Sequence, residues 1–284
     1  MLKRELNKKI LALHFSKSAD SYDSAAGLQR EIAYQLVDWA YPQEGSGEEE
    51  LEVLGIGCGT GFLTGFLRQR LKIQCYVALD LAQGMLARAR MKLGETSPGV
   101  MFLRADGEYL PFCAGSFDLV ASSTTFQWFN SLGDSLAGIC RVLRPGGKLL
   151  VATLGRGTFR ELKQAYRTAA GQMGIKLASS RYGPALPGEH EIAAVLKQAG
   201  FTKVVVEQRT KLEFFNCAHD FLISIKKRGA NNPNFRPMSL PTERTLLKKM
   251  TTFYDSCFRV DGKVFASYEV IFAMAEKPRG EDGT

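Results

Sequence analysis

An α/β fold built on a mostly parallel sheet is predicted by three features of the sequence. Strand-like apolar runs alternate with helical patterns, a glycine-rich loop directly follows the first run, and an acid ends the second. The runs are residues 51–56, 73–79, 100–103, 117–121 and 148–153, and helical spacing fills most of the gaps between them. Alternation of this kind places helices on both faces of the sheet.

Residues 1–40 read as helix: an amphipathic segment, then a run over 27–39 with Leu28, Ile32, Leu36 and Val37 at helical spacing. Residues 42–50 are polar and contain Gly45 and Gly47, which predicts a loop. A helix over 189–198 stops at Gly200, a good residue to end on, and a strand over 203–209 follows. The last run, 267–275, has no ordinary helix before it and is expected to pair antiparallel with 203–209. Two stretches, about 155–187 and 213–263, keep helical patterning but fall outside the alternation. They are expected to pack together, with the N-terminal helices 1–41, as a lid over the strand ends. The 284 residues are read as one elaborated domain.

Composition narrows the function classes. No apolar run approaches the roughly 20 residues that span a bilayer, and Leu11–Leu13 is too short for a signal peptide. A cytoplasmic location is expected, with no membrane partner. Six scattered cysteines without a CxxC pair read mostly as reduced, buried thiols, and three isolated histidines give no metal site. The net charge of +8, from 37 basic and 29 acidic residues, favours an acidic partner without choosing among nucleic acid, membrane surface and protein.

The loop Val53-Leu-Gly-Ile-Gly-Cys-Gly-Thr-Gly61 leaves a strand and opens a helix. Gly57, Gly59 and Gly61 let the main chain turn tightly and approach a ligand with no Cβ in the way. Asp80 ends the next strand, 19 residues after Gly61, where a carboxylate can accept both hydroxyls of a ribose. Asp106 follows the third strand and can accept from an adenine amino group. GxGxG in place of the longer GxGxxG, with no second nucleotide-binding half, departs from dinucleotide binders. Leu143-Arg-Pro-Gly-Gly-Lys148 then forms a hairpin-like turn into the fifth strand.

This ordered set resembles the class I methyltransferases, which implies a Rossmann-like seven-stranded sheet, mostly parallel with an antiparallel last strand. The resemblance also implies S-adenosylmethionine as cofactor, S-adenosylhomocysteine as product, and Leu81, Met85, Gly107 and Ser123 as further cofactor contacts. Members usually carry Asp or Glu at the position of Gly55, to hold the cofactor's amino-acid end. Glycine there implies either weaker cofactor binding or transfer of the role to another side chain, such as Tyr22 or Arg30 from the N-terminal helices.

Beyond that common part, the chain resembles the malonyl-acyl-carrier-protein O-methyltransferases of biotin synthesis. The matching segments include residues 15–30, Phe126-Gln-Trp128, 153–162, 224–232 and 261–270, so both insertions are covered. The resemblance implies methylation of the free carboxylate of a malonyl thioester. Such an acid, with a pKa of about 4 or below, is ionised at neutral pH and needs no general base. Tyr22, Gln127, Trp128, Arg181 and Tyr268 are the candidates for positioning it.

Residues 220–229 read as an amphipathic helix with Phe221, Leu222 and Ile225 inward and Lys226, Lys227 and Arg228 outward. By themselves these charges suit a solvated helix C-terminus. The resemblance makes them, with Arg236, a docking patch for an acidic acyl carrier protein. The rival readings are a methyltransferase of a small quinone-like acceptor and a cofactor-free assembly factor of the same fold. Nucleic-acid modification lacks an RNA-binding appendage. Oligomeric state leaves no trace in the sequence.

Overall fold

The computed structural model describes residues 5–43, 49–94, 99–178, 181 and 183–279. The expected loop glycines Gly45 and Gly47 lie outside the described residues. Two helices come first, α1 (Lys8–Ala25) and α2 (Gly27–Ala40). The alternating region follows as β1 (Leu51–Ile56), α3 (Phe62–Arg70), β2 (Ile73–Asp80), α4 (Gln83–Leu93) and β3 (Val100–Arg104). It continues through β4 (Phe117–Ser123), α5 (Leu132–Val142) and β5 (Leu143–Leu154). The C-terminal part holds α6 (Arg160–Gln172), α7 (Glu189–Gln198), β6 (Thr202–Phe215), α8 (Ala218–Lys227), α9 (Leu240–Cys257), β7 (Arg259–Val260) and β8 (Lys263–Glu276).

Seven strands run in the order β3-β2-β1-β4-β5-β8-β6, and β7 pairs with β8 as a two-residue eighth. The pairs up to β4–β5 are parallel, while β8 runs antiparallel to both β5 and β6. The antiparallel partnership read from the sequence is present, but the ribbon is longer than expected. Thr202–Glu276 and Phe215–Val264 are its outermost pairs. The supposed insertion 213–263 therefore begins and ends in strand, and only α8, α9 and β7 belong to it.

Side-chain alternation divides the core. Val53, Tyr76, Ala78 and Leu119 face α2 and α3, whereas Leu54, Ile56, Val77 and Val120 face α5 and α7. Covering both faces is what lets these strands be apolar throughout. On the first face, α6, α8 and α9 meet over an aromatic cluster in which Phe221 touches Phe159, Phe215 and Tyr254. Buried Glu161 fixes α6 to β8 by accepting from the Ser267 N–H at 3.0 Å and from its hydroxyl at 2.5 Å.

The strand order reverses between β1 and β4, which opens a crevice at their carboxyl ends, the place where ligands bind in open α/β sheets. Helix α1 crosses it. Gly84 permits this, because a Cβ there would lie 2.5 Å from the Ser16 carbonyl oxygen, and its N–H donates to Ser16 Oγ. The cysteines are free, as expected, but they are less buried than expected: only Cys58 is buried, while Cys113 and Cys257 are exposed. Among the described residues, no helix is long and apolar enough to cross a membrane.

Candidate functional site

A cavity occupies the crevice, walled by the segments that follow β1, β2, β3 and β4 and by α1. Its floor is the loop after β1. Gly57 has φ +67°, and a Cβ on it would fall 2.1 Å from Thr125 Oγ1, so only glycine fits between the β1 and β4 loops. Gly59, at φ +54°, has no heavy atom within 4 Å of its would-be Cβ, and its bare face borders the cavity. Gly61 does a different job from the one expected of it. It starts α3 at φ +92° against Leu93 and is not part of the cavity wall.

Asp80 is held by the loop it serves. Its Oδ2 accepts from the Gly59 N–H and its Oδ1 from the Ala82 N–H, each at 2.8 Å. Burial pushes its carboxyl above the ordinary value, opposed by the N–H groups of Ala82, Gly59 and Leu81. Leu81, Met85, Gly107 and Ser123 also line the cavity. The Ser123 Oγ is buried with no protein partner, the state of a group waiting for a ligand. Asp106 lines it too, with Oδ1 taking the Glu108 N–H at 3.1 Å and Lys8 Nζ at 3.3 Å.

Helix α1 supplies the roof: Lys8, Leu11, Ala12, Phe15 and Tyr22. Apart from Tyr22, the sequence had singled out none of these. The helix is tied down at both ends. Lys8 bridges Asp106 and Glu108, while Asp23 accepts from the Thr60 hydroxyl and pairs with Lys92 at 2.9 Å. Trp128, in the 3-10 turn after β4, lines the cavity and meets Phe15 edge-on at 5.8 Å. Burial and the nearby Asp80 hold the Tyr22 phenol well above its usual pKa. It therefore keeps its proton at any working pH and can only donate to an anion.

Several expected site residues lie elsewhere. Arg30 is exposed on α2, away from the cavity. Gln127 is buried behind the wall, donating to the Thr124 carbonyl at 2.6 Å and accepting from the Thr153 hydroxyl at 3.2 Å. Arg181 forms a two-pronged pair with Glu243 of α9, with its guanidinium over the Tyr166 and Phe235 rings. Tyr268 is fully buried in β8, donating to Glu213 at 2.8 Å and accepting from Arg228 at 2.7 Å.

The basic patch also needs correcting. Lys226, Lys227 and Arg236 are exposed, but Arg228 is only 3% exposed. Helix α8 ends at Lys227, so Arg228 turns inward, bonding Glu213, Tyr268 and the Ala25 carbonyl between α1 and α2. It acts electrostatically on Tyr22 from there.

This donor set suits S-adenosylmethionine. Asp80 offers acceptors to sugar hydroxyls, the bare glycine loop admits a ligand closely, and Ser123 has unspent hydrogen-bonding capacity. Residues 54–151 match a family model described as a methyltransferase domain. A malonyl-[acyl-carrier protein] O-methyltransferase from Acetivibrio thermocellus is 34% identical over 96% of this chain and 95% of that protein. The biotin biosynthesis bifunctional protein BioHC of Cellvibrio japonicus is 33% identical over 96% of this chain, which spans 51% of that longer protein. Among solved structures, a Haemonchus contortus phosphoethanolamine N-methyltransferase in complex with S-adenosylhomocysteine aligns with a TM-score of 0.57. The identity is 19%, over 93% of this chain and 57% of that one, a likeness of fold.

Proposed function

The chain is an S-adenosylmethionine-dependent methyltransferase of the malonyl-[acyl-carrier protein] O-methyltransferase family, and from that premise we propose that it esterifies the free carboxylate of a malonyl group carried on an acyl carrier protein, for biotin synthesis. The observation that carries the choice of a carboxylate is the Tyr22 end of the cavity. A phenol that retains its proton there faces the crevice, with the Arg228 guanidinium in electrostatic contact behind it. A neutral hydroxyl donor suits an anion moving out of water, and Arg228, already paired with Glu213, adds only a small positive field to it. The cavity has no histidine in its lining. That costs nothing, since an ionised acid has no proton to lose.

When bound, the cofactor supplies an electrophilic methyl on a sulfonium. The residues contribute position and dryness. Tyr22 orients the carboxylate, Trp128 and Phe15 exclude water, and Asp80 fixes the nucleoside, so that a carboxylate oxygen lies in line with the methyl. Asp80, Gly59 and Ser123 would hold the cofactor, and the methyl it would supply would pass to the carboxylate oxygen, the sulfur keeping the electron pair of the carbon–sulfur bond. We read α1 as the lid over this reaction within a single methyltransferase domain; α6, α8 and α9, expected to share that role, line none of the cavity, and α8 braces α1 from behind through the bond from Arg228 to the Ala25 carbonyl. The exposed free thiols Cys113 and Cys257 suit the reducing cytoplasm.

The test is methyl transfer by the purified protein. Methyl ester on malonyl-carrier protein, with none on quinone-like acceptors, is the expected result, and the reverse pattern would refute it. Lys226, Lys227 and Arg236 remain the proposed dock for the acidic carrier. Reversing the charge of the first two is expected to raise KM for the carrier-bound substrate roughly tenfold, since steering charges act mainly on encounter. Turnover of a small malonyl thioester should not change. Equal losses on both substrates would remove the patch from the proposal.

A further inference from the structure

We propose that Gln127 is a positioning residue for methyl transfer, holding Thr124 in a strained main-chain conformation that sets the acceptor end of the cavity. This rests on the methyltransferase reading above and concerns the step after the cofactor has bound. Thr124 lines the cavity directly after β4, with φ +54° in the left-handed region. Glycine takes that conformation freely, whereas a β-branched residue avoids it. Among the described residues, Phe159, Lys203 and Asp261 are the other non-glycines with positive φ, and none of them borders the cavity.

Strand β5 imposes the conformation from behind, because the peptide groups on both sides of Thr124 are clamped to it. In the parallel β4–β5 register Ser123 lies opposite Ala152, and the Thr124 N–H donates to the Ala152 carbonyl at 2.7 Å. The Thr124 carbonyl accepts from Gln127 Nε2 at 2.6 Å, and Gln127 Oε1 accepts in turn from the Thr153 hydroxyl at 3.2 Å. Gln127 and Thr153 are buried, so water does not compete for these bonds. Fixing the two flanking peptides fixes both dihedrals of the residue between them. Strain of this kind persists only where the surroundings over-determine it. With the Gln127 link removed, the carbonyl side is free to swing and threonine returns to an ordinary φ.

Its location gives the strain a use. The cavity crosses the strand ends in the order β3, β2, β1, β4. With the adenine at Asp106 and the ribose at Asp80, the nucleoside takes the first two, and the β4 end is left to the reacting groups. Thr124 and Trp128 wall that end, and Gln127, which holds the first, directly precedes the second. A shift of Thr124 moves the surface against which the accepting carboxylate lies, and a misplacement of about 1 Å can cost on the order of 100-fold in rate. The residues that grip the nucleoside stay where they are.

The test combines two substitutions, assayed by turnover of malonyl-carrier protein and by calorimetric titration with S-adenosylhomocysteine. Gln127→Met keeps the bulk and removes both hydrogen bonds. It is expected to lower kcat roughly tenfold or more, while S-adenosylhomocysteine affinity stays within about threefold. Thr124→Gly is expected to raise the melting temperature, because glycine holds a positive φ without strain, and to cost some activity through the lost side chain. In that glycine background Gln127→Met should lower kcat by less than about threefold, since glycine needs no clamp. The Thr153 hydroxyl is stranded in both backgrounds, so a purely structural cost would appear equally in each. Equal losses of kcat in the two backgrounds would therefore overturn the assignment. So would an intact kcat in Gln127→Met, a loss of S-adenosylhomocysteine affinity as large as that in kcat, or a lower melting temperature in Thr124→Gly. A wild-type protein that neither binds S-adenosylhomocysteine nor methylates the carrier-bound acid would refute the reading above, and this proposal with it.

Discussion

Asp80→Ala is expected to weaken S-adenosylhomocysteine binding by about 1–3 kcal/mol, or roughly 5- to 150-fold. The carboxylate does two things at once. It accepts the Gly59 and Ala82 N–H groups, which shapes the loop, and it keeps lone pairs for the sugar. Asp80→Asn separates these roles. The amide preserves the bulk and one acceptor, so its loss should be smaller than that of alanine. Calorimetric titration of both variants reads the difference, and an alanine variant with wild-type affinity would end the assignment of Asp80 to the ribose.

The second large effect lies outside the cavity. Arg228→Met is expected to cost about 2–4 kcal/mol of folding stability, measured by denaturant unfolding. Breaking a fully buried ion pair costs roughly 3–5 kcal/mol. The range here is lower because the Glu213 side chain keeps 23% of its exposure. What is stranded is Glu213, together with the Ala25 carbonyl that receives Arg228 Nε at 2.6 Å. A paired Arg228→Met/Glu213→Met variant removes both charges and should recover much of the loss. A single variant as stable as wild type would show that the network does not tie α8 to the α1–α2 junction.

The parts of this protein that the sequence made legible are those whose signal is local. Strand runs, the glycine spacing, the acid ending β2 and the stop at Gly200 each depend on residues within a few positions of one another, and they lie where they were expected. The misplaced residues depended on partners far along the chain. Nothing near Arg181 announces Glu243, 62 positions on, and nothing near Arg228 announces Tyr268, 40 positions on. A helix face could be read, but not that α8 stops one residue short of its third charge. Arg30 was avoidable. Two residues past buried Leu28 on a helix whose core side is Leu28, Ile32, Leu36 and Val37, it points away from everything the helix packs on.

Helix α1 fully buries only Leu11, Ser18 and Ala19; besides the packing of Phe15 and Tyr22 on Ala82 and Met85, it is fastened over the crevice by the polar contacts of Lys8, Ser16 and Asp23. Such fastenings trade readily with water, so the helix can peel away while the sheet beneath keeps its shape. Nucleoside affinity is then the intrinsic grip multiplied by the fraction of molecules with the helix in place. A docked carrier that pressed α1 down would tighten retention of the methyl donor without touching it, and the donor would return the favour by the same factor.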